Sequence, residues 1–495
     1  MSPIRVLGFV AAVLALLALI GQVLPEQGLD LGVVAVRMPK AQELLFSPKQ
    51  ERVDISEILA IEADSTAADT LAVEALAEPL AVDSPRKPIA FDASKLAPLE
   101  DRIRFHFPAQ GASVLHPFFK ALQGAYAAKE PIRILHYGDS QIEGDRITAY
   151  VRNKLQTQFG GSGPGLVAVQ DVGPHLSVER ELSGDWLRFS AMDPNLKKHA
   201  HRRYGALSAY CRFTPALPDT VAPDTTRRTA TITLSPNKRA FSKARAWTEC
   251  RLFFGWHRAP MGLRMEADGI LLSNEAIEPQ AAMLVREWRF PRTPGSITIS
   301  LEGADSPDVF GIALDGSTGV AMDNISARGA AGYEIEKGDQ ALLARKLAEL
   351  ETRLVILQYG GNALPSISST EQAKAYGRFF GKLIARFRKL TPEAAIIVIG
   401  PSDMSIKDGE DYVTRPFLEE VRDAMKANTL AQGAAFWDMY EAMGGRNSMV
   451  SWVQADPPLA ADDYTHFSPI GARKVGELFY TALINEYAAY LKSVQ

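Results

Sequence analysis

At 495 residues the chain is too long for one compact core and points to two folded units with extra segments. Its formal net charge of −4 excludes an electrostatic case for nucleic-acid binding.

Residues Val6 to Pro25 carry no charged side chain, with Arg5 before them and Glu26 after. About 20 such residues suffice to span a bilayer as one helix. A transmembrane signal anchor is therefore expected over residues 1–25. A cleaved signal peptide is its rival, although the stretch ending Gly21-Gln-Val-Leu-Pro25 lacks a persuasive small-residue cleavage pattern. With Arg5 on the cytoplasmic side, everything after residue 26 lies outside. Residues 26–98 read as a flexible acidic linker, with eight acidic and no basic side chains between Asp54 and Pro85. A short surface helix near residues 55–61 is an option within it.

Folded sequence starts near Leu99. A helix over residues 115–129 feeds the stretch Ile132-Arg-Ile-Leu-His-Tyr-Gly-Asp-Ser140, an apolar strand broken at Gly138, and a helix over 145–159 follows. A serine on such a strand-to-helix turn projects from the carboxyl edge of a parallel sheet, with its N–H near a helix N-terminus. Ser140 is thus a candidate nucleophile, unless Asp139-Ser140 simply caps the helix. The glycine-rich run Gly160-Gly-Ser-Gly-Pro-Gly165 lacks the Gly-Lys-Ser/Thr ending of a phosphate loop and reads as a plain loop.

From residue 169 to 314 helical periodicity fades. Short β-rich runs at 229–234, 250–255, 262–266, 283–290 and 296–301 suggest an inserted all-β sandwich. Both cysteines, Cys211 and Cys250, fall inside it, as one disulfide or as two buried thiols. The insert also holds Trp247, Trp256 and Trp288, which serve either as core or as sugar-stacking platforms, and the basic run from Lys197 to Arg203. Within that run His199-x-His201 has no partner cluster and reads as a solvated loop rather than a metal site.

Helix and strand alternate again beyond the insert: helices at 337–351, 371–390 and 415–428, strands at 354–357, 395–399 and 434–437, then a last helix opened by Ser468-Pro469. That alternation implies a parallel sheet covered on both faces, with the site at its carboxyl edge. Just before the last helix, Asp463 precedes His466 by three positions. A serine hydroxyl is a poor nucleophile until an imidazole takes its proton, and the imidazole works best when a carboxylate fixes its tautomer. Ser140, Asp463 and His466 supply those three groups.

Gly138-Asp-Ser140 near the start and Asp463-x-x-His466 near the end resemble the first and last blocks of the SGNH, or GDSL, hydrolases. The stretch Leu354-Val-Ile-Leu-Gln-Tyr-Gly-Gly-Asn362 resembles their third block. Asp323-Asn-Ile-Ser-Ala-Arg-Gly-Ala330 resembles the second. By that resemblance Ser140, Asp463 and His466 are catalytic, and Ser140, Gly329 and Asn362 form the oxyanion hole, with Gly332 a nearby alternative to Gly329. Gln141 in place of the family's leucine, and Ala363 where many members carry Asp, point away from the lipase branch.

The family implies an α/β, flavodoxin-like three-layer hydrolase over residues 99–168 and 315–495, here interrupted by a β-sandwich at 169–314. An exported hydrolase of this build is similar to peptidoglycan O-acetylesterases whose insert resembles a carbohydrate-binding module. The resemblance implies a serine esterase that removes O-acetyl groups from a cell-envelope glycan through an acetyl-enzyme, with no cofactor or metal. It would be membrane-anchored, with an O-acetylated polysaccharide as substrate and its catalytic domain in the periplasm. An O-acetyltransferase on an envelope polysaccharide and a catalytically silent glycan-binding protein are the alternatives.

Overall fold

The computed structural model describes residues 3–23, 29–30, 35–36, 53–60, 90–192, 201–217, 220–223 and 225–494. The chain divides into two compact units, residues 1–52 with 409–412, and residues 53–408 with 413–495. In the first, Pro3–Val23 is an α-helix that exposes Leu7, Phe9 and Leu19. It ends ahead of Pro25, whose ring disfavours helix at the residue before it. Among the described residues no helix is long and apolar enough to cross a membrane. Of the expected anchor, the structure therefore carries the helix and not the span.

The second unit is built on a six-stranded sheet in the order Val320–Ser326, Ile132–Gly138, Thr352–Gln358, Ala395–Ile399, Ala435–Trp437, Phe105–His106. The first five strands run parallel and the last is antiparallel. Taken in chain order the parallel strands lie 2-1-3-4-5, a flavodoxin-like arrangement whose order reverses at Ile132–Gly138. Alternate side chains feed two cores. Ile132, Ile134, Ile356 and Ile397 pack with helices His116–Gly124, Thr148–Phe159 and Pro469–Ser493. Leu135, Tyr137, Val355 and Val398 pack with Gln340–Glu349, Thr370–Leu390 and Leu418–Ala431. Burial on both faces is why these strands read as nearly unbroken apolar runs.

Between the first two parallel strands in sequence lie two antiparallel sheets. One has the order Ile270–Ile277, Met261–Ala267, Ile297–Gly303, Arg228–Pro236, Val178–Ser183. The other runs Gln280–Arg289, Glu249–His257, Asp308–Asp315, Ala209–Arg212, Leu187–Ser190, with Gly165–Val167 also paired to Asp308–Asp315. Ile232, Leu263 and Ile299 of the first sheet share a core with Leu252, Phe254 and Ile312 of the second. Cys211 and Cys250 are free thiols buried in that core, and burial pushes the Cys211 thiol up to about 12. Trp247 and Trp288 are buried there too, so neither is a surface platform for sugar. Trp256 is half-buried, edge-on to Phe310 at 5.5 Å and under the Arg203 guanidinium at 4.9 Å. Lys197 and His199 lie outside the described residues.

The insert is not a loosely hung module. Phe253, Phe310 and Ala313, on the outer face of its second sheet, belong to the same core as Leu343, Leu347 and Val355 of the hydrolase. Arg133 of the central strand is fully buried and ion-paired with both Asp315 at the insert's end and Asp323 of the neighbouring parallel strand. The Gly160–Gly165 run threads this junction. A Cβ on Gly161 would stand 2.3 Å from the Val320 carbonyl oxygen, and one on Gly163 2.1 Å from that of Leu314. Close backbone approach, not phosphate, accounts for those glycines.

Part of the expected linker is also folded. Ser56–Ala60 is a helical turn with Ile55 and Ile58 buried in the hydrolase core, and Ser451 Oγ donates to the Val53 carbonyl at 2.8 Å. Two apolar side chains three residues apart suffice to dock a segment whose acidic neighbours suggest only solvent. Residues 61–89 of the linker lie outside the described residues.

Candidate active site

The strand Ile132–Gly138 ends where Gly138 must be bare: a Cβ there would meet Ile142 Cδ1 at 2.9 Å and the Gln358 carbonyl oxygen at 3.1 Å. Ser140 follows at the carboxyl edge of the strand where the sheet order reverses, the usual place for a site in such sheets. The next helix begins only at Thr148, after a short 3₁₀ turn, so the expected closeness of the serine N–H to a helix N-terminus is not formed. Nor does Asp139 cap that helix. Its Oδ1 accepts the Gln141 N–H at 2.9 Å, a local turn that shapes the Ser140 loop.

His466 arrives from the loop before Pro469–Ser493, a helix capped by Ser468, whose Oγ accepts the Gly471 N–H at 3.1 Å. Ser140 Oγ and His466 Nε2 are 2.8 Å apart. His466 Nδ1 donates to Asp463 Oδ2 at 2.7 Å. Asp463 Oδ1 accepts the N–H groups of Thr465 and His466 at 3.0 and 2.9 Å. Burial raises the Asp463 carboxyl, but these hydrogen bonds from His466 and Thr465 outweigh it and hold the group below its ordinary value. An ionised Asp463 fixes the proton on Nδ1 and leaves Nε2 to accept from the serine.

Gly329 lines the same cleft, in a left-handed turn of φ +76°, while Gly332 packs against Leu383 and Phe379. Asn362, after Thr352–Gln358, reaches the site from the next strand over, and its Nδ2 donates to Asp139 Oδ2 at 3.0 Å and to the Ala330 carbonyl at 3.1 Å. Both amide hydrogens are engaged, so one must exchange its partner before Asn362 can serve an oxyanion. Burial lifts the Asp139 carboxyl to about 6, against the Gln141 and Asn362 hydrogen bonds and the nearby His466.

Residues 296–474 match the model of the GDSL-like lipase/acylhydrolase family. The matched stretch contains Gly329, Asn362, Asp463 and His466, and parallel pairing sets the upstream Ser140 strand between two of its strands. Over this stretch the chain is similar to the GDSL-like hydrolases. Among solved structures, a peptidoglycan O-acetylesterase is similar at 21% identity, with 75% of this chain and 96% of that one covered at a TM-score of 0.59, a likeness of fold. An acetyl xylan esterase matches at 13% identity, with 33% and 81% covered and a TM-score of 0.26. A family two carbohydrate esterase from Clostridium thermocellum in complex with cellohexaose matches at 10% identity, with 63% and 100% covered and a TM-score of 0.24. No curated protein matches the sequence.

The departure at Gln141 has a visible use. Its Nε2 donates to the Thr465 carbonyl at 2.7 Å and to Ser402 Oγ at 3.2 Å, tying the Ser140 loop to the loop that carries His466. Arg146 adds a second tie, donating to the carbonyls of Ser140 and Phe467. The cleft holds about 720 Å³ and is lined by Ser140, Asn362 and His466, by the ion-paired Glu143 and Arg328, and by Leu176 of the insert. Gln141 carried a sequence signal as a departure from the family pattern. Arg146, Arg328 and Leu176 carried none, because their roles depend on contacts between distant stretches.

Proposed function

We propose that the protein is a serine esterase that removes O-acetyl groups from an envelope glycan, with peptidoglycan as the foremost substrate. The observation that carries this reading is the unbroken chain from Ser140 Oγ through His466 to Asp463, opening into a cleft with room for a sugar. His466 Nε2 takes the hydroxyl proton as Oγ bonds to the acetyl carbon, with the negative charge passing to the carbonyl oxygen. N–H groups at Ser140 and Gly329, and the Asn362 amide after it releases one partner, are the donors for that oxygen. The ester C–O bond then breaks, His466 returns the proton to the sugar oxygen, and water repeats the sequence on the acetyl-enzyme to give acetate.

The acyl group and polymer are read from the peptidoglycan O-acetylesterase likeness, whose 75% share of this chain cannot be reached without the inserted sandwich. Incubating the full-length protein with O-acetylated peptidoglycan should release acetate, and adding an unacetylated acceptor glycan should not divert it. Transfer of acetyl to the acceptor would make the protein a transferase. Absence of any turnover on polymer and on a small acetyl ester would leave only a binding role.

We also place the protein in the bacterial envelope with its hydrolase outside the cytoplasm. The charge-free run from Val6 to Pro25 behind Arg5 supports this. Protease added to spheroplasts should cut the hydrolase, whereas protection until lysis would place it in the cytoplasm.

A further inference from the structure

The inserted sandwich supplies one wall of the catalytic cleft. Gly173, Pro174 and Leu176 line it, and all three lie on the connection between insert strands Gly165–Val167 and Val178–Ser183. This connection is fastened to the nucleophile's own turn. The Leu176 N–H donates to the Gly144 carbonyl at 3.1 Å, and Gly144 is so close to the loop that a Cβ would stand 2.9 Å from the Pro174 carbonyl oxygen. One residue on, the buried Ser177 donates to Asp145 Oδ2 and accepts from Arg152 Nη2 at 2.9 Å. Asp145 and Arg152 are themselves a fully buried ion pair. Asp145 holds φ at +74°, a left-handed conformation that a non-glycine residue keeps only when its surroundings fix it. Fixed from beneath, the loop nevertheless leaves Leu176 47% exposed at the cleft.

We infer that Leu176 is a specificity-determining residue, an apolar wall against which the carbon face of the sugar carrying the ester lies. An apolar side chain on an ordered backbone gains by being covered and costs little entropy to use, since its main chain is already fixed. The ion-paired Glu143 and Arg328 flank Gly173, whose Cβ position lies 3.6 Å from Glu143 Oε1 and 3.9 Å from Arg328 Nη2. Polar groups for sugar hydroxyls therefore border the apolar wall. The proposal rests on the reading of the site as a glycan O-acetylesterase and gives the insert a direct part in it.

The test uses full-length protein made inactive by Ser140→Ala, with and without Leu176→Ala, and measures calorimetric binding of soluble O-acetylated peptidoglycan fragments. Half-exposed Leu176 can be trimmed without loss of fold, which equal thermal midpoints would verify. The dissociation constant should rise about tenfold in the double variant, the scale of one apolar contact in a binding site. Constants within twofold of one another would overturn the proposal. Turnover by the Ser140 parent is a separate readout: activity with no effect of Leu176→Ala on binding removes the wall and keeps the esterase. A tenfold binding change with an inactive parent keeps the wall and removes the esterase.

Discussion

Ser140 Oγ and His466 Nε2 stand 2.8 Å apart although 326 positions separate them in the chain. Three independent ties hold that meeting: Gln141 to the Thr465 carbonyl, Arg146 to the carbonyls of Ser140 and Phe467, and the His466 N–H to Asp463. The Ser140 hydroxyl and the His466 imidazole are therefore positioned by further hydrogen bonds on both sides, not by their mutual one alone.

Replacing the orienting carboxylate should separate orientation from chemistry. Asp463→Asn keeps the shape but not the charge that fixes the proton on Nδ1, and kcat should fall by up to about 10⁴-fold. His466→Ala removes the base itself and should cost at least as much. Steady-state kinetics on p-nitrophenyl acetate checks both, and wild-type turnover in His466→Ala would exclude it as the base.

Asn362→Ala should lower kcat by roughly 10²–10³-fold with little change in KM, as when one oxyanion donor is lost. The side chain is not idle at rest, since it also joins Asp139 to Ala330. A rise in KM with kcat preserved would assign Asn362 to substrate binding instead.

Asp139 should leave a mark on the pH dependence of stability. Its folded carboxyl sits at about 6 against an ordinary 3.8 because burial penalises the charge. The folded state therefore favours the protonated group. Its contribution is full below about pH 4, declines as pH rises toward about 6, and is lost above that. Over that window wild type should lose about 3 kcal/mol relative to Asp139→Asn, which does not titrate. Urea unfolding of both proteins from pH 4 to 7 measures the difference, and a pH-independent gap would contradict the shift.

The docked segment at residues 53–60 makes a prediction a free tether would not. Ile58 is fully buried, so Ile58→Ala should destabilise the hydrolase unit by about 2–5 kcal/mol. Thermal or chemical unfolding would show it, and an unchanged midpoint would return the segment to the linker.

Much of the hydrolase half was legible because its strands are buried on both faces. The run Ala395–Ile399 is apolar throughout, and Ser468-Pro469 announces the last helix. The strand Val320–Ser326 does not read as one, because Asp323 and Asn324 interrupt it. Both are buried for tertiary reasons, Asp323 pairing with Arg133 and Asn324 donating to the Ile142 carbonyl at 2.8 Å. The insert strand Ile270–Ile277 carries no strand signal either: it lies at a sheet edge, exposes Ile270, Leu271 and Leu272, and lacks alternation. At the site, the residue types of the triad and their order were readable. The engagement of Asn362 with Asp139 and the approach of Leu176 were not, since each depends on how separate stretches meet.

We propose Ser140 as the acyl-accepting nucleophile. Treatment of the full-length protein with a serine-directed phosphonate, followed by peptide mass spectrometry, tests it directly. A single adduct on the peptide bearing Ser140, absent from Ser140→Ala and accompanied by loss of esterase activity, is the expected result. An adduct on another serine, or full esterase activity retained by Ser140→Ala, would contradict it.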